Sequence, residues 1–193
     1  MQPARLDLPI VPGATNRKPL WLMQPDYDYR PITEVRATAP LTLSVPDHGL
    51  PGMWPVWIDG TSSSQLNRSP AREPSRMAKV IDADTIEFND INGAALKASG
   101  GQLIYQKPVD LTGCTGRLLI AGSDGSTLEL TTDNGGLVIE GLGQMLIVIT
   151  AEQSGALTFE RGTYDLDLTM SNGDVIRWLQ GDVTTRPEGC HAR

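Results

Sequence analysis

Tyr164-Asp165-Leu166-Asp167-Leu168-Thr169-Met170-Ser171-Asn172-Gly173 is the stretch that decides the fold of this chain. Tyr164, Leu166, Leu168 and Met170 point one way and Asp165, Asp167 and Thr169 the other, the period of two that a half-buried strand requires. Asn172-Gly173 supplies two residues that tolerate the positive φ of a hairpin turn, and Val175 to Leu179, continuing towards Val183, is the returning strand.

The same grammar runs back along the chain. Arg117 to Ile120, Thr127 to Thr131, Leu137 to Ile139 and Met145 to Thr150 are strand-length runs parted by Gly122-Ser123-Asp124-Gly125, Asn134-Gly135-Gly136 and Gly141-Leu142-Gly143. Thr150-Ala151-Glu152-Gln153 has the spacing of a capping box, with Gln153 reaching back to the N-cap Thr150, and it predicts at most one helical turn. At the other end Leu6, Leu8 and Ile10 alternate with Arg5, Asp7 and Pro9. Pro9, which cannot donate a ladder hydrogen bond, marks that strand as an edge. Pro12-Gly13 turns the chain into the apolar run Leu20 to Met23. Between them lie Leu41, Leu43 and Val45 in alternation, a strand around Val56-Trp57-Ile58, a Ser/Pro/Arg-rich loop, the hairpin Ala78 to Ile81 and Thr85 to Phe88 about Asp82-Ala83-Asp84, and a strand Gln102 to Gln106. Short strands at this spacing predict an all-β chain, with residues 37–105 forming a small β-barrel inserted into a β-sandwich made of 1–36 and 106–193.

Composition narrows the function. The net charge of −7 is uneven, about +1 over residues 1–36, −2 over 37–105 and −6 over 106–193. A surface so acidic repels phosphate backbones, which argues against nucleic acid as a partner. No apolar run reaches the ~20 residues of a membrane-spanning helix, and Met1-Gln2-Pro3-Ala4-Arg5 does not open a secretory signal, so synthesis in a cytoplasm without membrane insertion is expected. Cys114 and Cys190 are expected as free thiols, though sequence leaves open whether they lie close enough to pair. With His48 and His191 they lack the spacing of a metal site. No cofactor is implied.

The residues also resemble known families. Pro12-Gly13-Ala14-Thr15, Pro108-Val109-Asp110-Leu111-Thr112-Gly113, Gly135-Gly136-Leu137-Val138-Ile139, Tyr164 to Leu168, and Gly181-Asp182-Val183 leading to Pro187-Glu188 follow the order of a module found in bacteriophage tail and baseplate accessory proteins. That module is similar to the N-terminal domain of baseplate upper proteins, which implies an immunoglobulin-like sandwich. Within 37–105, His48-Gly49-Leu50, Val56-Trp57-Ile58, Leu66-Asn67, Val80 to Thr85 and Ser99-Gly100-Gly101 resemble the small barrel named for the first catalytic-cysteine half of ubiquitin-activating enzymes. The segment holds no cysteine, so ubiquitin-type chemistry does not come with the resemblance.

Read for chemistry, the chain offers no nucleophile elbow or convergent triad: Asp47-His48-Gly49-Leu50 reads as a turn, and Asp82/Asp84 and Asp165/Asp167 as turn and solvated strand residues. No catalytic residue is expected. Candidate contacts for a partner or a glycan are Trp54, taken as exposed, and Arg68, Arg72 and Arg76, taken as one loop; Trp57 and Trp178 are assigned to the core. The resemblance implies a non-enzymatic virion protein, made in the host bacterial cytoplasm and present in several copies, that links tail fibres to the tail through other baseplate or tail-tip proteins. The alternative is a carbohydrate-binding module of the tail, directed at the host surface.

Overall fold

The computed structural model describes residues 3–185; Cys190, His191 and the Pro187-Glu188 pair lie outside them. In chain order the strands are β1 (Ala4–Arg5), β2 (Leu8–Pro9), β3 (Asn16–Trp21), β4 (Met23–Pro31), β5 (Glu34–Arg36), β6 (Leu41–Ser44), β7 (Met53–Asp59), β8 (Arg76–Asp82), β9 (Thr85–Phe88) and β10 (Gln102–Pro108). There follow β11 (Thr115–Gly122), β12 (Thr127–Thr131), β13 (Leu137–Gly141), β14 (Gln144–Ile149), the single turn α1 (Ala151–Gly155), β15 (Arg161–Thr169) and β16 (Val175–Thr184). The chain is all-β and divides into two units, one from its two ends and the other from residues 21–109.

In the discontinuous unit, β1 and β2 run parallel to β16, and β16, β15, β11 and β12 follow as antiparallel neighbours; a second sheet has the order β13-β14-β3. The alternation of β15 is what buries the core: Tyr164, Leu166 and Leu168 are sealed with Leu118 and Ile120 of β11, and Met145, Ile147 and Ile149 of the second sheet are sealed likewise. Gly116 shows how near the two layers come, since a Cβ there would lie 2.9 Å from Leu137 Cδ1. The hairpin after β15 differs from the expected two-residue turn. Met170 N donates to Asp174 O and Gly173 N to Met170 O, each at 2.8 Å, and of Asn172 and Gly173 only Gly173 takes a positive φ, 89°. This is a three-residue loop with a glycine bulge.

α1 forms as its sequence dictates. Thr150 N donates to Gln153 Oε1 (2.9 Å) and Gln153 N to Thr150 Oγ1 (3.1 Å), while buried Ser154 donates through Oγ to Ala14 O (2.7 Å), tying the turn to the Pro12-Gly13 corner. The N-terminal arm is held by Tyr164, whose hydroxyl donates to Leu6 O at 2.7 Å. Burial, with Asp7 nearby, pushes that phenol up to about 12. Opposite Tyr164 in register stands Gly181, where a Cβ would sit 2.1 Å from Leu6 O.

Residues 21–109 form one seven-stranded antiparallel sheet in the order β4-β10-β7-β8-β9-β6-β5, curled about its own core. Leu41, Leu43, Val45, Trp54, Val56, Ile58, Ala78, Ile86, Phe88, Leu103 and Tyr105 face inward and are buried. The curl is drawn together where the terminal strands β4 and β5 succeed one another. Ile32 N donates to Gly101 O, beside β10, and the next amide, Thr33 N, donates to Ser44 O of β6. The sheet is thus a half-barrel, open along the rest of its length.

The boundary of this unit is wider than 37–105. β4 pairs with β10 from Pro31↔Gln102 to Met23↔Pro108, and β5 pairs with β6, so residues 21–36 and 106–109 belong to the inserted unit. Sequence placed them elsewhere because β4 is exposed at most positions and has no fully buried residue to mark a core face; its membership is set by hydrogen bonds to a strand far along the chain.

Val109 N donates to Leu22 O at 3.0 Å, so the chain enters and leaves this unit on adjacent strands, roughly 4.8 Å apart. Replacing 21–109 by a short Gly/Ser linker is expected to leave a remainder that unfolds cooperatively in urea, because closing so small a gap costs little. The shorter excision of 37–105 strips β4 of its partner and is expected to lose cooperativity or aggregate. Gly181→Ala is expected to cost about 2 kcal/mol or more in the same titration, because the added methyl meets backbone that cannot yield.

Candidate functional site

The sequence-assigned contacts part company in the structure. Trp54 is fully buried, beside Val56 and Ile58, and its Nε1 donates to Gln106 O at 2.9 Å. It is a core residue, and its assignment as an exposed contact is corrected. Residues 54 and 57 are an odd number apart and must take opposite faces of β7, so burying Trp54 turns Trp57 outward, the reverse of the expectation. Trp178 is also only half-buried. The register of β15 with β16 runs from Leu166↔Leu179 to Asp167↔Arg177, leaving Trp178 as the extra residue of a bulge.

The arginines separate too. Arg76 is not a loop residue: it begins β8, has a side chain only 13% exposed, and pairs through Nη1 with Asp90 Oδ2 at 2.8 Å. Its buried Nε has no hydrogen-bond partner among the described residues. Arg68 and Arg72 remain in the loop between β7 and β8. Arg68 N donates to Ile58 O at 2.6 Å and Arg72 N to Ser69 O at 3.0 Å, so backbone bonds shape that loop.

His48 is buried and engaged at both ring nitrogens. Nδ1 accepts from Leu50 N at 3.0 Å, which places the proton on Nε2, and Nε2 donates to Asp82 O at 3.0 Å. The imidazole is a strut between two loops, beside a cleft of about 300 Å³ lined by Asp47, Gly49, Leu50, Val80, Asp82 and Ala83. Tyr105 continues the strut: its hydroxyl donates to His48 O at 2.6 Å, with Asp28 Oδ2 3.3 Å away. Burial alone would raise the Asp28 carboxyl, but the hydrogen bond from Lys107 and the charges of Arg30 and Lys107 more than offset it and hold it below the ordinary value. Burial first, and then the Asp28 charge, push the Tyr105 phenol up. Cys114 is a buried free thiol within 4.0 Å of Asp110 O, Thr112 O and Met170 Sδ. Asp165 and Asp167, expected to be solvated, both pair with Arg177, at 3.1 and 2.8 Å. Among the described residues no group of three His, Cys, Asp or Glu side chains is placed to hold a metal ion.

What the structure assembles instead is an aromatic face. Tyr29 on β4, Ile104 on β10 and Trp57 on β7 stand in one register row, and Tyr27 stands opposite Gln106 in the row beside it. Directly opposed residues share a face of a sheet. Ile104 is 3% exposed, whereas Tyr27 and Tyr29 are 41% and 54% exposed and Trp57 is partly so. The Tyr27 and Trp57 rings meet edge to face, centroids 5.7 Å apart at 78°. Trp57 is oriented by its Nε1, which donates to Glu73 O of the neighbouring loop at 2.8 Å. Gln106 is oriented by its Nε2, which donates to Pro25 O at 3.0 Å, and exposed Gln102 lies between Pro31 and Asp59. The signal for this face was present in the sequence as Tyr27-Asp28-Tyr29, two aromatics at strand spacing.

No protein-family profile matches the chain, and neither a curated protein nor a solved structure matches it.

Two measurements check this geometry. Trp54→Ala is expected to lower stability by about 3–5 kcal/mol in urea unfolding and Trp57→Ala by clearly less, because only the first empties a sealed core position. Asp28 has a folded-state pKa below its unfolded value, so its contribution is present above about pH 4 and is lost as pH falls through the lowered value. The difference in urea midpoint between the native chain and Asp28→Asn is therefore expected to be open at pH 6 and to close below pH ~4.

Proposed function

We propose that this chain is a structural component of a bacteriophage tail, a baseplate or tail-tip adaptor that links tail fibres to the tail without catalysing a reaction. The observation that carries this reading is architectural: a complete half-barrel unit is set into the connection between β3 and β11 of another all-β unit, entering and leaving on adjacent strands. Such a chain offers one part to anchor and another to present. The strand order of the anchoring unit supports its immunoglobulin-like reading. β16, β15, β11 and β12 correspond to strands G, F, C and C′ of a variable-type sandwich, with β3, β14 and β13 as B, E and D and the helical turn between E and F.

Two of the motifs behind the family resemblance are compatible with such a frame. In Pro108 to Gly113, Asp110 Oδ1 accepts from Thr112 N at 2.9 Å, Leu111 is buried and Gly113 takes φ 70°, which returns the chain from the inserted unit to the frame. Tyr164 to Leu168 is the strand at the centre of the larger sheet. The residues that could have supplied chemistry, His48 and Cys114, are committed to internal contacts. Edge strands such as β12 and β13 are open to neighbouring chains, and several symmetry-related copies around a tail suit such edges. The acidic C-terminal part favours a basic partner surface.

Mass spectrometry of gradient-purified virions tests the assignment. Peptides from this chain are expected at an abundance comparable to that of the minor tail proteins; their absence while those proteins are detected refutes a virion role.

A further inference from the structure

We propose that the outer face of β4, β10 and β7 is a binding site for a neutral polysaccharide, with Tyr27, Tyr29 and Trp57 as stacking platforms. The chain is poor in aromatics, with four Trp, four Tyr and two Phe. Trp54, Phe88, Tyr105, Phe159 and Tyr164 are spent on the core. That three of the remaining rings converge on one open face is therefore not surplus from packing, and exposed aromatic surface of this kind marks binding sites.

The details favour a saccharide. A pyranose presents an apolar C–H face and a rim of hydroxyls, and so needs flat rings bordered by neutral groups able to donate and accept hydrogen bonds. Tyr27 and Tyr29 are two residues apart on one strand, roughly 6.8 Å, a spacing on the scale of consecutive sugar rings. Trp57 stands nearly perpendicular to Tyr27, so the two rings make a corner instead of a continuous plane. The Tyr27 and Tyr29 hydroxyls, unlike that of Tyr105, have no hydrogen-bond partner among the described residues. Gln102 and Gln106 put amides on the same face, and Gln106 keeps its Oε1 for a ligand because its Nε2 is bound to Pro25 O. The rows that hold Tyr27, Tyr29 and Trp57 carry no charged residue on this face; Asp59, at its end opposite Gln102, accepts from Gly60 N at 2.9 Å. Asp28, Arg30 and Lys107 are interleaved in sequence with these residues, but in β4 and β10 alternate residues turn to the opposite side, where the three pair with one another. A neutral polymer fits this distribution, and an anionic or cationic one gains little from it. The ordering cost of binding is small, since Trp57 and Gln106 are already fixed by backbone acceptors.

The experiment is native gel electrophoresis of the full chain through gels cast with dextran, galactomannan or xyloglucan, with heparin as an anionic control. Retardation is expected in at least one neutral gel, with Tyr29→Ala raising the dissociation constant at least tenfold while its melting temperature holds. Trp57→Phe, which keeps a ring but loses the anchor to Glu73, is expected to weaken binding several-fold. Migration unchanged in every neutral gel, retardation by heparin alone, or retardation that neither substitution diminishes would each overturn the site. So would loss of virion incorporation on Tyr29→Ala without any polysaccharide binding, which assigns the face to a protein partner. The site does not rest on the adaptor reading: virions that contain the chain while every neutral gel is negative sink the site alone, and the reverse sinks the adaptor alone.

Discussion

The antiparallel pairing of β4 with β10 joins residues at the two ends of the inserted unit, and most of what distinguishes that unit follows from it. The ladder brings Leu22 against Val109, so an insertion of nearly ninety residues needs only a narrow gap in the frame that carries it. It places Asp28 beside Tyr105 and Lys107, which links the edge of the sheet to the His48 strut. It sets Tyr27 and Tyr29 on the same surface as Trp57. Each of these contacts is remote in sequence, and each is lost together if β4 leaves the sheet.

The frame solves a different problem. Its N-terminal arm crosses β16 so closely that only glycine fits at residue 181, and Tyr164, in the next strand, fixes the crossing through the Leu6 carbonyl. The two devices belong together, because the space freed by the missing side chain is what lets the backbone approach the phenol. Along the outer side of the same sheet, Arg117 pairs with Glu129, and Arg177 pairs with both Asp165 and Asp167; Arg117 stands opposite Asp167 in register, near enough to feel its charge. Individually such exposed pairs contribute little. Together they hold register, since a slip of any of these strands by one residue would turn its own charges towards the core.

Local elements were legible wherever a local pattern determines them. The β15–β16 hairpin, the β8–β9 hairpin about Asp82-Ala83-Asp84, the alternation of Leu41, Leu43 and Val45, and the capping box at Thr150 all stand where the residues place them. The errors have a common physical origin in relations that cross distance. Which of Trp54 and Trp57 faces inward depends on the parity of β7 relative to a core made by other strands. The bulge at Trp178 adds a residue that no alternation can announce. β4 has no buried face of its own to betray its partner. The aromatic face fell between these cases: Tyr27-Asp28-Tyr29 shows the period, but only the register across β10 adds Trp57 to it.

The order in which the strands leave the ribosome gives the insertion one more consequence. β1, β2 and β3 find their partners in β16 and β14, which are made after the whole of residues 21–109, whereas every strand of the inserted unit pairs within it. The inserted unit can therefore complete itself during synthesis while residues 4–20 wait unpaired. A waiting strand is an aggregation hazard, and this one carries its own protection in Arg5, Asp7, Pro9, Arg17, Lys18 and Pro19, charges and prolines that discourage pairing with a stranger. Residues 4–20 are made before the inserted unit and placed after it, and their composition is that of a strand built to wait.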